Sequence, residues 1–236
     1  MTDLTFSKRT IDILTNFAAV NGSMLFRQGN VVRSMASTMQ MFTRADIEES
    51  IPEEFAIFEL NRFLSVLSTF DAPNIKVESS KGRLVISEGT RKTFYKTATT
   101  DDIIAPKNGD ITLKDVFASF NLQAATIGNV QKMLGILSLP EIAIVSKKGK
   151  LSIECMNSEN VQRNENTESY YSEAVGKSDV DFRIILRGEY ITWLMKSEEY
   201  EVNIGKFSKN DKEVALLSFV GKDVTYYIAS EDSSEF

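Results

Sequence analysis

No histidine occurs among the 236 residues, which removes the usual general base, the commonest zinc ligand and any Ser-His triad. A single cysteine, Cys155, excludes an intrachain disulfide framework and suits a reducing compartment. It reads as a small buried residue of a strand rather than a reactive thiol. No run approaches the ~18 apolar residues that a membrane helix needs. Met1 to Lys8 also lacks a basic stretch followed by an apolar one, so we expect a soluble, cytoplasmic protein with no membrane partner. Acidic groups at Asp46, Glu48 and Glu49, at Asp101 and Asp102, and at Glu198 and Glu199 are joined by no recognisable motif and read as solvated surface. Turns such as Lys81-Gly82-Arg83 lack the Gly-x-x-x-x-Gly-Lys-[Ser/Thr] spacing of a phosphate cradle and open no helix. We therefore expect no catalytic residues, no metal site and no cofactor.

What the chain does contain is repetition. From Glu59 to Ala98 an apolar stripe at helical spacing (Leu60, Phe63, Leu64, Leu67) is followed by an alternating run (Ile75, Val77). A Gly82 turn, a second run (Leu84, Val85, Ile86) and a third (Thr93 to Ala98) complete the stretch. With Phe55 to Phe58 leading, this spells strand, helix and three strands, βαβββ. Leu14 and Gly29, Leu67 and Gly82, and Leu134 and Gly149 are each fifteen residues apart, which marks three copies. A looser fourth copy runs from Arg187 to Glu231, with Leu194, a polar Asn210-Asp211 turn and strands at Val214 to Phe219 and Val224 to Ala229. A unit that cannot bury its own apolar face must share a core with a neighbour, so four copies imply an α+β fold of two similar domains, each of two βαβββ units. We expect an N-terminal domain over 1–100, a connector over 101–111 rich in turn formers, and a C-terminal domain over 112–236.

In chain order, Ser7 is the expected N-cap of a first helix whose stripe is Ile11, Leu14, Phe17 and Ala18. Met35, Met39, Met41 and Phe42 read as core or half-buried, although soft methionine surfaces also serve as binding pockets. The third helix shows Ile127, Val130, Leu134 and Leu137 in its stripe, with Gln131 and Lys132 off it. A hairpin at Lys147 to Lys150, an exposed loop from Asn157 to Glu168, and a fourth helix with Tyr190, Ile191 and Leu194 inward and Lys196 outward follow. Residues 230–236 read as an acidic, mobile tail apart from Phe236. Net charge is −6, yet the four helical stretches together carry +3, which leaves −9 for everything else. A molecule divided in this way can face a polyanion with one side and repel it with the other.

Four βαβββ units with an extended connector and no catalytic residues resemble the ring-shaped DNA sliding clamps, the processivity factors of DNA polymerases, and the wording is closest to the T-even bacteriophage type. The likeness rests on Phe6-Ser7-Lys8 with Asn16-Phe17-Ala18 and Asn21, and on Leu60-Asn61 with Phe63-Leu64 and Leu67-Ser68. It continues through Ile142-Ala143-Ile144 with Lys148 to Lys150 and through Tyr227-Ile228-Ala229 with a short acidic tail. The resemblance implies a head-to-tail homotrimer whose six domains surround duplex DNA, with helices lining the hole and sheet outside. It implies DNA-facing roles for Lys8, Arg9, Arg62, Lys132 and Lys196. It implies an apolar pocket for a C-terminal peptide of the replicative polymerase, formed by Met35, Met39, Phe42, Ile104, Tyr227 and Ala229. A clamp-loader ATPase would open the ring, and transcription factors are further candidate partners. Two positions depart from the pattern: Thr15 and Gly135 stand where relatives tend to carry a basic residue. The alternative is a non-enzymatic adaptor that uses the repeated sheet for protein contacts only.

Overall fold

The computed structural model describes residues 4–106, 109, 111–158, 170–209 and 212–236, and the chain divides into two compact units, 1–108 and 109–236. The expected loop at 159–168, the Asn210-Asp211 turn and Lys107, Asn108 and Asp110 of the connector lie outside the described residues.

The first unit begins with α1 (Lys8–Val20), where the Ser7 hydroxyl accepts from the backbone N–H of Thr10 at 3.2 Å as the N-cap. The buried stripe is Thr10, Ile13, Leu14, Phe17, Ala18 and Val20. Ile11, expected inside, is only half-buried, because the 3,4 spacing from Leu14 and Phe17 runs back through Ile13 and Thr10. Then come β1 (Met24–Phe26), β2 (Gly29–Met35), β3 (Met41–Ile51), β4 (Phe55–Ile57), α2 (Leu60–Leu67), β5 (Asn74–Glu78), β6 (Arg83–Glu88) and β7 (Arg91–Lys96). Leu60, Phe63, Leu64 and Leu67 of α2 are all buried, as their spacing predicts. Around Phe26, which is fully buried, sit Phe55 stacked at 4.6 Å between centroids, Phe63 edge-on at 6.4 Å and Phe6 at 6.1 Å.

The second unit contains β8 (Lys114–Leu122), α3 (Ala124–Leu137), β9 (Glu141–Lys147), β10 (Lys150–Met156), β11 (Tyr171–Gly176) and β12 (Phe182–Arg187). After these come α4 (Gly188–Thr192), β13 (Tyr200–Lys209), β14 (Lys212–Val220) and β15 (Val224–Ala229). Its strands form antiparallel ladders in the orders β11-β10-β9-β12 and β15-β14-β13-β8. Cys155 is fully buried on β10, and burial alone pushes its thiol up to about 11, so it is an inert core residue.

The order βαβββ recurs four times, with the leading strand of the first copy reduced to a bridge between Leu4 and Ile75. Copies interlock in pairs. In the first unit β1 pairs with β4 of the next copy, and in the second β9 pairs with β12 and β8 with β13. Gly29, Gly82 and Gly149 occupy the equivalent turn between the first and second strands after each helix, at φ of 112°, 58° and 79°. Leu14, Leu67 and Leu134 are less equivalent: they fall in the middle of α1, at the last residue of α2 and near the end of α3.

Two expectations for the second unit are corrected. Gln131 lies inside, 7% exposed, and its side-chain amide donates to the carbonyls of Ile191 at 2.7 Å and Leu194 at 3.1 Å. Those bonds take up acceptors at the end of α4. The helix expected over 187–197 is accordingly only five residues long, and Lys196 stands on the turn after it. Gly188 fits tightly at its start, where a Cβ would approach Leu134 to 3.0 Å and the Pro140 carbonyl to 3.1 Å.

Both long helices are tied to the last strand of their own copy by a carboxylate. Glu49 on β3 accepts from the Thr10 hydroxyl at 2.6 Å and from the backbone N–H of Ser7. Glu173 on β11 accepts from the Thr126 hydroxyl at 2.7 Å, the Asn129 amide at 3.3 Å and the Tyr171 hydroxyl at 2.5 Å. Glu49 is thus half-buried and structural, not solvated surface, and a negative charge at a helix start is favourable. Partial burial raises the Glu173 carboxyl, but its three donors outweigh that and leave it below the ordinary value. The same bond pushes the Tyr171 hydroxyl up to about 12.

Two outcomes are expected. Phe26→Ala removes the centre of an aromatic cluster and lowers the unfolding free energy by about 3–5 kcal/mol, read from denaturant midpoints. Glu173→Gln costs about 1 kcal/mol near neutral pH, a figure reduced for the partial exposure of the carboxylate. Because the folded-state value is depressed, that contribution is present above the unfolded carboxylate value and disappears as pH falls through the folded one. Melting curves of parent and variant should therefore converge in acid.

Candidate functional site

Within each unit the two helices pack together, α1 with α2 and α3 with α4. Many of their outward residues are short, namely Thr15 and Ala19 on α1, Asn61 and Ser65 on α2, and Asn129 and Gly135 on α3, but Asp12 of α1 and Ile136 of α3, 63% exposed, are outward too. The Thr15 hydroxyl donates back to the Ile11 carbonyl at 2.7 Å, and Ser65 to Asn61 at 2.8 Å. These bonds hold the hydroxyls against the helix. Long side chains on the outward faces are few. Lys8 is exposed and Arg9 half-buried at the start of α1, Arg62 is exposed on α2, and Lys132 is exposed on α3. Arg62 is ion-paired with Glu59 at 3.0 Å, and that bond raises its guanidinium further above an already high value. The net charge within the helices is +1 on each of α1, α2 and α3 and −1 on α4, because Arg187 and Lys196 fall outside α4. At Gly135 an added Cβ would meet nothing within 4 Å, so space does not explain the missing basic residue there.

The residues expected in an apolar pocket are placed as follows. Met35, 8% exposed, ends β2 opposite Phe42 of β3, which is half-buried. Met39 at the tip of their hairpin has φ 56° and is 55% exposed, so its expected core placement is corrected: a turn residue in left-handed backbone points its side chain to solvent. The Asn21 amide donates to the Met35 carbonyl at 2.9 Å and to the Ile104 carbonyl at 3.3 Å. One side chain at the end of α1 thereby fastens both the end of β2 and segment 103–105. Ile104 is 49% exposed, while its neighbour Ile103 is buried with Leu25 and Ala56. The Arg27 guanidinium holds the Pro106 carbonyl at 3.0 Å, so residues 101–106 lie along the first unit instead of hanging free. In the second unit, Tyr227 and Ala229 are half-buried on the outer face of β15, alternating with buried Tyr226 and Ile228.

Sequence reasoning missed Asn21 as a fastening residue, although Asn directly after an apolar helical stripe is a visible stop signal. It also missed the β7 edge, which ends the ladder β5-β6-β7. Phe94 there is 53% exposed, with the Arg83 guanidinium 4.0 Å and the Lys92 ammonium 5.2 Å from its ring centre. A groove of about 630 Å³ beside it is lined by Lys81, Arg83, Phe94 and Lys96. The alternation of Lys92, Phe94 and Lys96 on one strand was the available signal. At the opposite end of the β9–β12 ladder, β11 also offers an edge, next to exposed Tyr170.

Residues 7–105 match the family described as DNA polymerase processivity factor. The sliding clamp of Vibrio phage KVP40 is 27% identical over 229 residues, covering 95% of this chain and 98% of that protein. The sliding clamp of Escherichia phage RB69 is 28% identical over 233 residues, with 97% of each chain covered. The solved structure of A. fulgidus PCNA with the C-terminal region of FEN-1 bound superposes with a TM-score of 0.67 at 16% identity, covering 100% of both chains. The chain is thus similar from end to end to phage sliding clamps, and its residues 7–105 match the DNA polymerase processivity factor family.

Proposed function

We propose that the protein is a DNA sliding clamp, a ring that encircles duplex DNA and tethers the replicative polymerase to confer processivity. The observation that carries this reading is end-to-end similarity to phage sliding clamps by a chain whose repeats pair into two units. Three chains joined head to tail supply six domains, with residues 101–111 as the connector within each chain. A heterologous contact of this kind closes into a ring when its rotation allows. The edges that β7 and β11 leave open among the described residues suit that contact, since strand edges present unpaired N–H and C=O groups. Phe94, clasped by Arg83 and Lys92 on β7, is its apolar anchor.

Lys8, Arg9, Arg62, Lys132 and Lys196 face phosphates without reading bases, which gives sequence-independent, salt-sensitive binding. Few charges suffice, because the closed ring and not affinity retains the DNA. The role requires no chemistry, so the protein acts as a non-enzyme without cofactor. Met35, Met39, Phe42, Ile104, Tyr227 and Ala229 receive the polymerase's C-terminal peptide, a reading supported by the bound FEN-1 region in the A. fulgidus structure. A loader ATPase opens the ring, transcription factors are further candidate partners, and the setting is the cytoplasm of a phage-infected cell, as the phage origin of the relatives suggests.

Sedimentation at several micromolar tests the ring. The parent chain should run as a trimer that dissociates on dilution, and Phe94→Asp as a monomer; a parent that stays monomeric would sink the closed assembly. Lys8→Glu with Lys132→Glu should leave the circular dichroism spectrum intact while reducing loader-dependent polymerase stimulation. It should also flatten the log–log salt dependence of DNA binding by about 2, since each of the two lysines neutralises about one phosphate. Unchanged stimulation at moderate salt would count against the DNA-facing assignment.

A further inference from the structure

Residues 230–236, expected to be mobile, are built into the second unit. Along the outer edge of β12, the N–H of Glu231 donates to the Ile185 carbonyl at 2.9 Å. Arg183 and Glu235 exchange both backbone bonds at 2.8 Å. The N–H of Ile185 donates to the Ser234 hydroxyl at 2.9 Å, and Arg187 pairs with Glu231 at 3.0 Å. Phe236 stacks parallel to Phe117 of β8 at 5.9 Å, and Phe117 meets Phe182 of β12 edge-on at 5.7 Å. The Lys206 ammonium of β13 lies 5.5 Å from the Phe236 ring centre. The segment thus closes the seam between the edge of one sheet of this unit and the edge of the other.

It does so imperfectly. Glu231 and Glu235 are four residues apart but bond to Ile185 and Arg183, which are two apart. The chain must therefore loop out at Asp232 and Ser233, with the Ser234 N–H turned back to the Glu231 carbonyl at 3.1 Å. At Ile185 a serine hydroxyl stands where a regular ladder would place a carbonyl. An extended peptide could make that ladder bond from its backbone while keeping the phenylalanine anchor.

We propose that the seam between β12 and the β8–β13 pair is a strand-addition site for an extended acidic peptide with a phenylalanine anchor, and that residues 231–236 occupy it as a displaceable plug. Arg183, Arg187 and Lys206 supply the cationic rim that selects acidic sequences, and Phe117 with Phe182 forms the aromatic slot. A partner bearing such a peptide gains access by displacing the plug. The proposal does not depend on ring closure or on DNA.

The test uses the chain without residues 231–236 and a capped peptide of the sequence Ser230 to Phe236, labelled for fluorescence anisotropy. The shortened chain should bind the peptide, the intact chain should not, and Phe236→Ala in the peptide should weaken binding by about tenfold. A folded shortened chain that takes up no peptide would overturn the proposal, as would an intact chain that binds equally well. Should the shortened chain fail to fold, the intact Phe236→Ala chain decides by amide exchange. Protection at Arg183 and Ile185 should fall and be restored by added wild-type peptide, whereas exchange indifferent to both would refute the site.

Discussion

A βαβββ copy cannot bury the apolar stripe of its helix with its own strands alone, and the organisation of this chain follows from that constraint. In the first unit β1 completes its ladder with β4 of the next copy, and Leu4 bridges Ile75. The second unit repeats the exchange with β9 on β12 and β8 on β13. The helices of paired copies come together, α1 with α2 and α3 with α4, and α4 packs on β9 of the preceding copy as well as on its own β12. Glu49 and Glu173 tie the first turns of α1 and α3 to the last strands of their copies, so the outward faces are positioned by part-buried hydrogen bonds as well as by packing.

Much of this was legible in the residues. The stripe of α2, the turn glycines at Gly29, Gly82 and Gly149 and the strands of the fourth copy are local signals, fixed by periods of 3.6 and 2 and by backbone that favours glycine. What escaped depends on partners distant in sequence. Nothing near Gln131 announces that its amide will end α4 sixty residues on, and the length of α4 was overestimated for that reason. Glu49 looks like surface in a run of acids until α1 is laid over β3. Ile11 and Ile13 are chemically alike, so only the observed phase of α1 decides which is inside. Site assignment was similarly limited: positions of lysines and arginines follow from the resemblance, but the ion pair of Arg62 with Glu59 and the location of Lys196 beyond α4 come from the fold.

Weak positive charge on the helix faces is physically consistent with retention by topology. In the proposed role the protein must not dwell on any phosphate, and the Thr15 and Ser65 hydroxyls, bonded back to their own helices, offer little to grip. On the proposed clamp reading, the uncharged residues at Thr15 and Gly135 are a further reduction of drag, with closure of the ring as the compensating requirement.

The treatment of strand edges separates two kinds of surface. An edge left bare invites another chain, and proteins ordinarily blunt it with charge or cover it. On β12 the backbone groups at Arg183 and Ile185 are taken up by residues 231–235, and Glu231 pairs with Arg187 beside them. On β7, by contrast, Phe94 stays open to solvent under two cations, and β11 ends its ladder beside exposed Tyr170. Cations over an aromatic ring keep the edge soluble without blocking its backbone, so it can still receive a strand of matching register. Among the described residues, β7 and β11 end their ladders uncovered, which fits the proposed contact between chains, and the covered β12 edge fits the proposed plug.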